Sequence, residues 1–174
     1  MSKSKGKDNN QTAMAGEYAI LSQLSARGFD VAMLLGKTKN IDILVSKSNE
    51  YLSMQVKTTE RTKAVNKKHH GKNLFEWLVS PKCYVIKDKN IFYCFVLLNK
   101  ENEEISFRFF IVPAKVVAGY AKRQHKHWCK KTKKSYSENG LSKFRLGNKL
   151  EKYSIKTPTT SEYENKWDLL TDNR

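Results

Sequence analysis

The chain has 174 residues, a length suited to one domain, and its 33 Lys and Arg against 17 Asp and Glu give a formal charge of +16. Hydrophobic residues make up 39% of it, too many and too evenly spread for a disordered polyelectrolyte, yet no apolar run nears the roughly 20 residues of a membrane span. Cys83, Cys94 and Cys129 lack the CxxC spacing of a Cys-based zinc module, and the Lys-bearing start has no hydrophobic stretch behind it, so an intracellular globular domain with a polyanionic partner is expected.

Residues 1–10 read as a flexible basic tail, followed by a single domain over 11–174. From Gln11 to Arg27, Met14, Tyr18, Leu21 and Leu24 recur at helical spacing, and Gly28 is placed to cap that helix. Short β-like runs follow at Phe29–Leu35, Ile41–Ser46 and Tyr51–Thr58, with a hairpin-sized polar stretch between the last two. The stretch 61–73 has almost no apolar content and reads as a basic loop carrying Arg61, Lys63, Lys67 and Lys68. Strands resume at Leu74–Val79, Ile91–Leu98 and Ile105–Val112. Pro113 suits the first turn of a second helix to Cys129, with Val116, Val117, Tyr120, Gln124 and Trp128 on one face and Lys115, Lys122, Arg123 and Lys126 largely on the other. Nine Lys or Arg and no acid fall between Arg108 and Ser137, Lys130 among them, which favours phosphate binding over mere solubility. Beyond that, Leu141–Leu150 is ambiguous, and Trp167, Leu169 and Leu170 are expected to dock on the body. Strands flanked by helices point to an α/β or α+β domain.

Three polar positions stand out. Glu17 lies three residues after Met14 and four before Leu21, on the expected apolar face, where an unpaired carboxylate is costly. Asp42 interrupts the apolar run 41–45. Gln55 and Lys57 alternate with Met54, Val56 and Thr58, so both lie on one face of their strand. A hairpin turning at Ser48–Asn49 sets Asp42 opposite Gln55, with Cβ atoms roughly 5 Å apart, and Lys57 diagonally beside them. A slip of one residue would destroy the cluster.

Glu17 on a first helix, Asp42 in an apolar strand and Gln55-Val56-Lys57 on the next strand together resemble the PD-(D/E)XK nuclease superfamily. The likeness covers about residues 11–60, with strand and helix continuing to about 129; the extension 130–174 matches no part of it. Ile41 stands where that motif often has Pro, and Gln55 replaces the second acid. Gln-x-Lys variants resemble a branch that includes a homing endonuclease and some restriction-type enzymes. The resemblance implies a restriction endonuclease-like core, a central mixed β-sheet flanked by helices. It also implies a Mg²⁺-dependent, Mn²⁺-compatible endonuclease hydrolysing double-stranded DNA site-specifically as a homodimer. In that reading Asp42, the Gln55 oxygen, the Val56 carbonyl and Glu17 hold the metal and Lys57 orients the attacking water. Arg61, Lys63, Lys67, Lys68, Lys122, Arg123, Lys126 and Lys130 grip the DNA backbone. Rival readings are a structure-specific resolvase of Holliday-junction type, a nuclease-like binding module silenced by Gln55, and an RNA binder stacking bases on Phe92, Tyr93, Phe95, Phe107, Phe109 and Phe110.

Overall fold

A computed structural model describes residues 5–34, 41–47, 50–60, 74–86, 88–135, 142–147 and 155–171. Helix α1 (Lys5–Ser25) leads into β1 (Asp30–Met33), β2 (Ile43–Lys47), β3 (Glu50–Glu60), β4 (Leu74–Val79), β5 (Ile91–Glu101) and β6 (Glu104–Pro113). Helix α2 (Ala114–Thr132) and β7 (Ser142–Gly147) follow, with single 3₁₀ turns at Pro81–Val85 and Trp167–Leu170.

The main sheet has the order β1-β2-β3-β5-β6 and is antiparallel except between β3 and β5. This is the mixed sheet expected, in an α+β arrangement. The crossover from β3 to β5 passes through β4, which leaves the main sheet and pairs antiparallel with β7. Residue alternation along the doubly covered centre of the sheet divides the core in two. Phe92, Cys94 and Val96 of β5 face Ile20 and Leu24 of α1; Tyr93, Phe95 and Leu97 face α2 and the β4–β7 ribbon, where Phe95 stacks on Phe144 at 4.5 Å. The strand aromatics are therefore packed between layers, which removes the open platform that base stacking would need.

Helix α1 begins at Lys5, not Gln11. The Thr12 hydroxyl donates to Glu60 Oε1 at 3.2 Å, and the first turns gain support from the end of β3 where a tail would have none. Its buried line is Gly16, Ile20 and Leu24, whereas Met14 and Tyr18 are exposed. Gly28 caps the helix at φ +77°, and the Phe29 N–H reaches back to the Leu24 carbonyl, a closure that favours glycine. On α2 the buried positions include Val117, Tyr120, Gln124 and Cys129. Trp128 is exposed instead, beneath Lys134 at 5.1 Å, in the last turns of the helix, where only Cys129 is buried. Gln124 is tolerated inside because its Oε1 accepts the Ile155 N–H at 3.1 Å. All three cysteines are free and buried.

The segment after 154 closes the free edge of the main sheet. The Ile111 N–H donates to the Tyr163 carbonyl, the Asn165 N–H to the Phe109 carbonyl, and Arg108 grips Glu164 through two nitrogens at 2.6 and 2.8 Å. Trp167, Leu169 and Leu170 then dock on the α1 side of the core, as their composition led one to expect. Among the described residues no helix is long and apolar enough to cross a membrane.

One ion network ties the small ribbon together. Glu76 faces its cross-strand partner Arg145 at 2.8 Å and Lys143 at 2.6 Å. Burial alone would raise the Glu76 carboxyl, but hydrogen bonds and charge from Lys143 and Arg145 outweigh it and hold the group below its ordinary value of 4.5. A depressed acid contributes stability that is complete above its unfolded pKa and is lost as the pH falls through the folded one. Glu76→Gln should accordingly lower the melting temperature at neutral pH and lose less of it than wild type on acidification from about pH 5 to about pH 3. Parallel acid limbs for the two proteins in thermal unfolding would contradict this.

Candidate active site

Strand β3 is paired on both sides only at Ser53 and Met54. Partners run from Lys47–Glu50 to Ile43–Met54 on the β2 side, in the register that a turn at Ser48–Asn49 requires; the turn itself lies outside the described residues. On the other side β5 accompanies β3 from Ser53 to Glu60. The β2-facing edge of β3 is thus open beyond Met54, where Asp42 arrives, one residue ahead of β2. Its backbone is held from two directions, the Leu34 N–H donating to its carbonyl and its own N–H to the Met54 carbonyl, both at 2.9 Å. Its Oδ2 accepts the Val56 N–H at 2.7 Å. A side chain here substitutes for the missing strand and leaves Oδ1 free of that bond. Since a strand residue's N–H and C=O point to the same edge, the Val56 carbonyl also faces the opening.

Gln55 is buried and Lys57 half-buried; they stand opposite Tyr93 and Phe95 of β5 on one face of β3. From sequence this tyrosine figures only among the strand aromatics that could stack bases, not as part of the site. Burial first, then the charges at Cys83 and Asp42, push its hydroxyl well up from the ordinary range, so a neutral phenol backs Gln55.

Glu17 is brought in by helix α1 from the other face of the sheet. Its neighbour Gly16 makes this possible. A Cβ added at Gly16 would lie 1.8 Å from Thr58 Oγ1 and 2.9 Å from Thr58 Cβ, so helix and strand touch backbone to side chain. Glu17 is half-buried, and its carboxyl titrates above the ordinary value of 4.5 because of burial first and the Asp42 charge second, while Lys57 pulls it back. Glu17, Asp42 and Lys57 therefore lie within electrostatic reach of one another, and Gln55 and Val56 are fixed between Asp42 and Lys57 by the strand.

Among the described residues no three His, Cys, Asp or Glu side chains gather into a metal-binding group. Two mutually repelling carboxylates, with a buried amide and an edge carbonyl on the adjoining strand, are nevertheless all oxygen groups, the chemistry that suits a hard cation keeping some of its water. The donors present are compatible with Mg²⁺ or Mn²⁺.

Next to the site the open edge borders a cleft of about 430 Å³, walled by Asn9 and Thr12 of α1, Lys57 to Glu60 of β3, Glu76 to Leu78 of β4 and Lys143 of β7. Lys122, Arg123, Lys126 and Lys130 are all exposed on α2. Arg61, Lys63, Lys67 and Lys68 lie outside the described residues.

Neither protein-family models nor curated sequences give a match to the chain. A solved structure does: a bacterial homing endonuclease, I-Ssp6803I, superposes with a TM-score of 0.52 over 93% of both chains at 16% identity. The chain therefore shares the fold of that endonuclease. A match over 93% is too long to stop at residue 129, so it reaches into the stretch 130–174, which resembled nothing by sequence.

Gly16→Ala tests the close approach. Helix propensity alone would favour alanine by about 1 kcal/mol, but overpacking of this kind costs about 1–3 kcal/mol. Denaturant unfolding should show a net loss of stability, and a variant as stable as wild type would mean that α1 does not sit on Thr58.

Proposed function

We propose that the protein is a metal-dependent DNA endonuclease that hydrolyses phosphodiester bonds in duplex DNA, site-specifically and as a homodimer. The observation that carries this reading is the meeting of Glu17, Asp42 and Lys57 at the open edge of β3, with Gln55 and Val56 between them. The homing-endonuclease fold supports it, as does a charge of +16 in a chain whose two carboxylates nonetheless converge. When bound, Mg²⁺ supplies Lewis-acid stabilisation of the charge that develops on phosphate and lowers the pKa of water.

The residues divide the remaining work. Asp42 is held rigid by Val56 and offers its second oxygen as the central ligand. Gln55 presents an amide oxygen in place of a third acid, which spares the site one more negative charge beside Glu17 and Asp42. Glu17, whose carboxyl is destabilised as an anion by burial and by Asp42, gains most from a neighbouring cation. Lys57 stands within reach of both charges, suited to orienting the attacking water and to offsetting the negative charge of the phosphate. Cutting two strands calls for two such sites, hence the two-fold dimer. Cations of α2 and of the 61–72 stretch supply contacts to the DNA backbone.

The test is cleavage of plasmid DNA and of a four-way junction with Mg²⁺ or EDTA. Mg²⁺-dependent cutting of the plasmid is expected, abolished by Asp42→Ala and reduced at least about a hundredfold by Lys57→Ala. Gln55→Glu should change the rate or the preference between Mg²⁺ and Mn²⁺. Cutting of the junction alone would replace the site-specific reading by a resolvase. If Asp42→Ala cuts as wild type does, the assignment of the site fails.

A further inference from the structure

The cleft beside Lys57 contains an ion arrangement with one cation to spare. Two carboxylates line it, Glu60 and Glu76, and each is matched from a residue that is not in the lining. Glu60 Oε1 accepts from Lys100 at 3.2 Å and from Thr12 at 3.2 Å. Glu76 Oε2 accepts from Arg145 at 2.8 Å, and Arg145 is only 6% exposed, a fixed charge rather than a mobile one. With both acids answered, Lys143 on Glu76 Oε1 is a second cation for a single negative charge. Its side chain is 44% exposed, against 7% for that of Arg145, so of the two partners Lys143 is the one free to turn into the cleft. Lys57 and Lys143 then confront the same space from different strands, with no uncompensated anion between them.

An open groove with two available ammonium groups and a matched acidic floor suits a phosphodiester backbone. We propose that Lys143 binds a backbone phosphate of duplex DNA neighbouring the one presented to Lys57, exchanging its contact with Glu76 for the phosphate while Arg145 keeps Glu76 in place. This rests on the nuclease reading above and assigns to that site a positioning residue from β7, a strand remote in sequence from Glu17, Asp42, Gln55 and Lys57. The trade is favourable because Glu76 is not stranded when Lys143 leaves; a buried carboxylate abandoned by its sole partner would oppose the exchange. Lysine suits the role as a compact charge on a flexible stem, released without dismantling a bidentate fork.

The experiment measures binding of a short DNA duplex of arbitrary sequence against salt concentration in EDTA, so that no strand is cut, for wild type, Lys143→Gln and Lys143→Arg. Each phosphate contact contributes about 0.9 to the log–log salt slope. Lys143→Gln should lose about that much slope and bind more weakly, and Lys143→Arg should recover it. An unchanged slope in Lys143→Gln overturns the assignment. So does an equal loss in both variants, which would mark Lys143 as a structural residue; thermal unfolding of each establishes that both are folded. Plasmid cutting with Mg²⁺ by the same three proteins keeps two failures apart. A wild type that binds but never cuts overturns the nuclease reading and leaves the Lys143 assignment to be decided by the slope.

Discussion

Beyond Met54, β3 has a strand neighbour on one side only, and much of the molecule is organised around that interruption. A sheet edge in the middle of a sheet exposes backbone donors and acceptors that must find partners elsewhere. Here the Asp42 carboxylate takes the Val56 N–H, the α1 helix closes over Thr58 through Gly16, and Thr12 reaches Glu60 at the far end. The first satisfies a backbone donor of the edge; the other two cover it through side chains without filling it. What remains is a strand whose alternating carbonyls and side chains are held by β5 on one flank and accessible on the other.

The electrostatics follow from the same geometry. Glu17 comes from the helix layer and Asp42 from the sheet, and burial first and the Asp42 charge second push the Glu17 carboxyl up. A fold that tolerates this repulsion sets two negative charges close together at one point of a chain whose net charge is +16. The amide of Gln55 moderates the conflict: a third carboxylate there, buried beside Tyr93, would add desolvation cost to like-charge repulsion.

Much of this was legible in the chain itself, and the reasons differ by residue. The β2–β3 register follows from loop length and from period-two alternation, both local properties, and so the pairs from Lys47–Glu50 to Ile43–Met54 could be written down in advance; the ladder stops there, and Asp42 reaches β3 through bonds to Met54 and Val56. Gly28 was readable because a left-handed cap has a strong residue preference. The buried face of α1 was not, since Met14 and Tyr18 look apolar while the true contact line begins with a glycine, whose importance lies in what it lacks. For β7, alternating Lys143 and Arg145 with Phe144 and Leu146 gave an unclear pattern; only the partner strand β4 resolves it, and that pairing spans a long stretch of chain. Glu76, Lys143 and Arg145 form a network by that pairing and by nothing visible nearby in sequence.

The docking of residues 155–171 on β6 bears on how the protein is made. Edge strands with free backbone groups are templates for pairing with other chains, and β1, at the opposite edge, limits the hazard by being four residues long. Strand β6 has ten, and its cover is held by a residue 56 positions further on, through Arg108 and Glu164. During synthesis the sheet therefore emerges with its longer border bare, and it stays so until that late segment leaves the ribosome. A ribosome stalled between the two would carry a nearly finished core with an adhesive side, making pace of translation and access of chaperones to β6 part of what decides the yield of native protein.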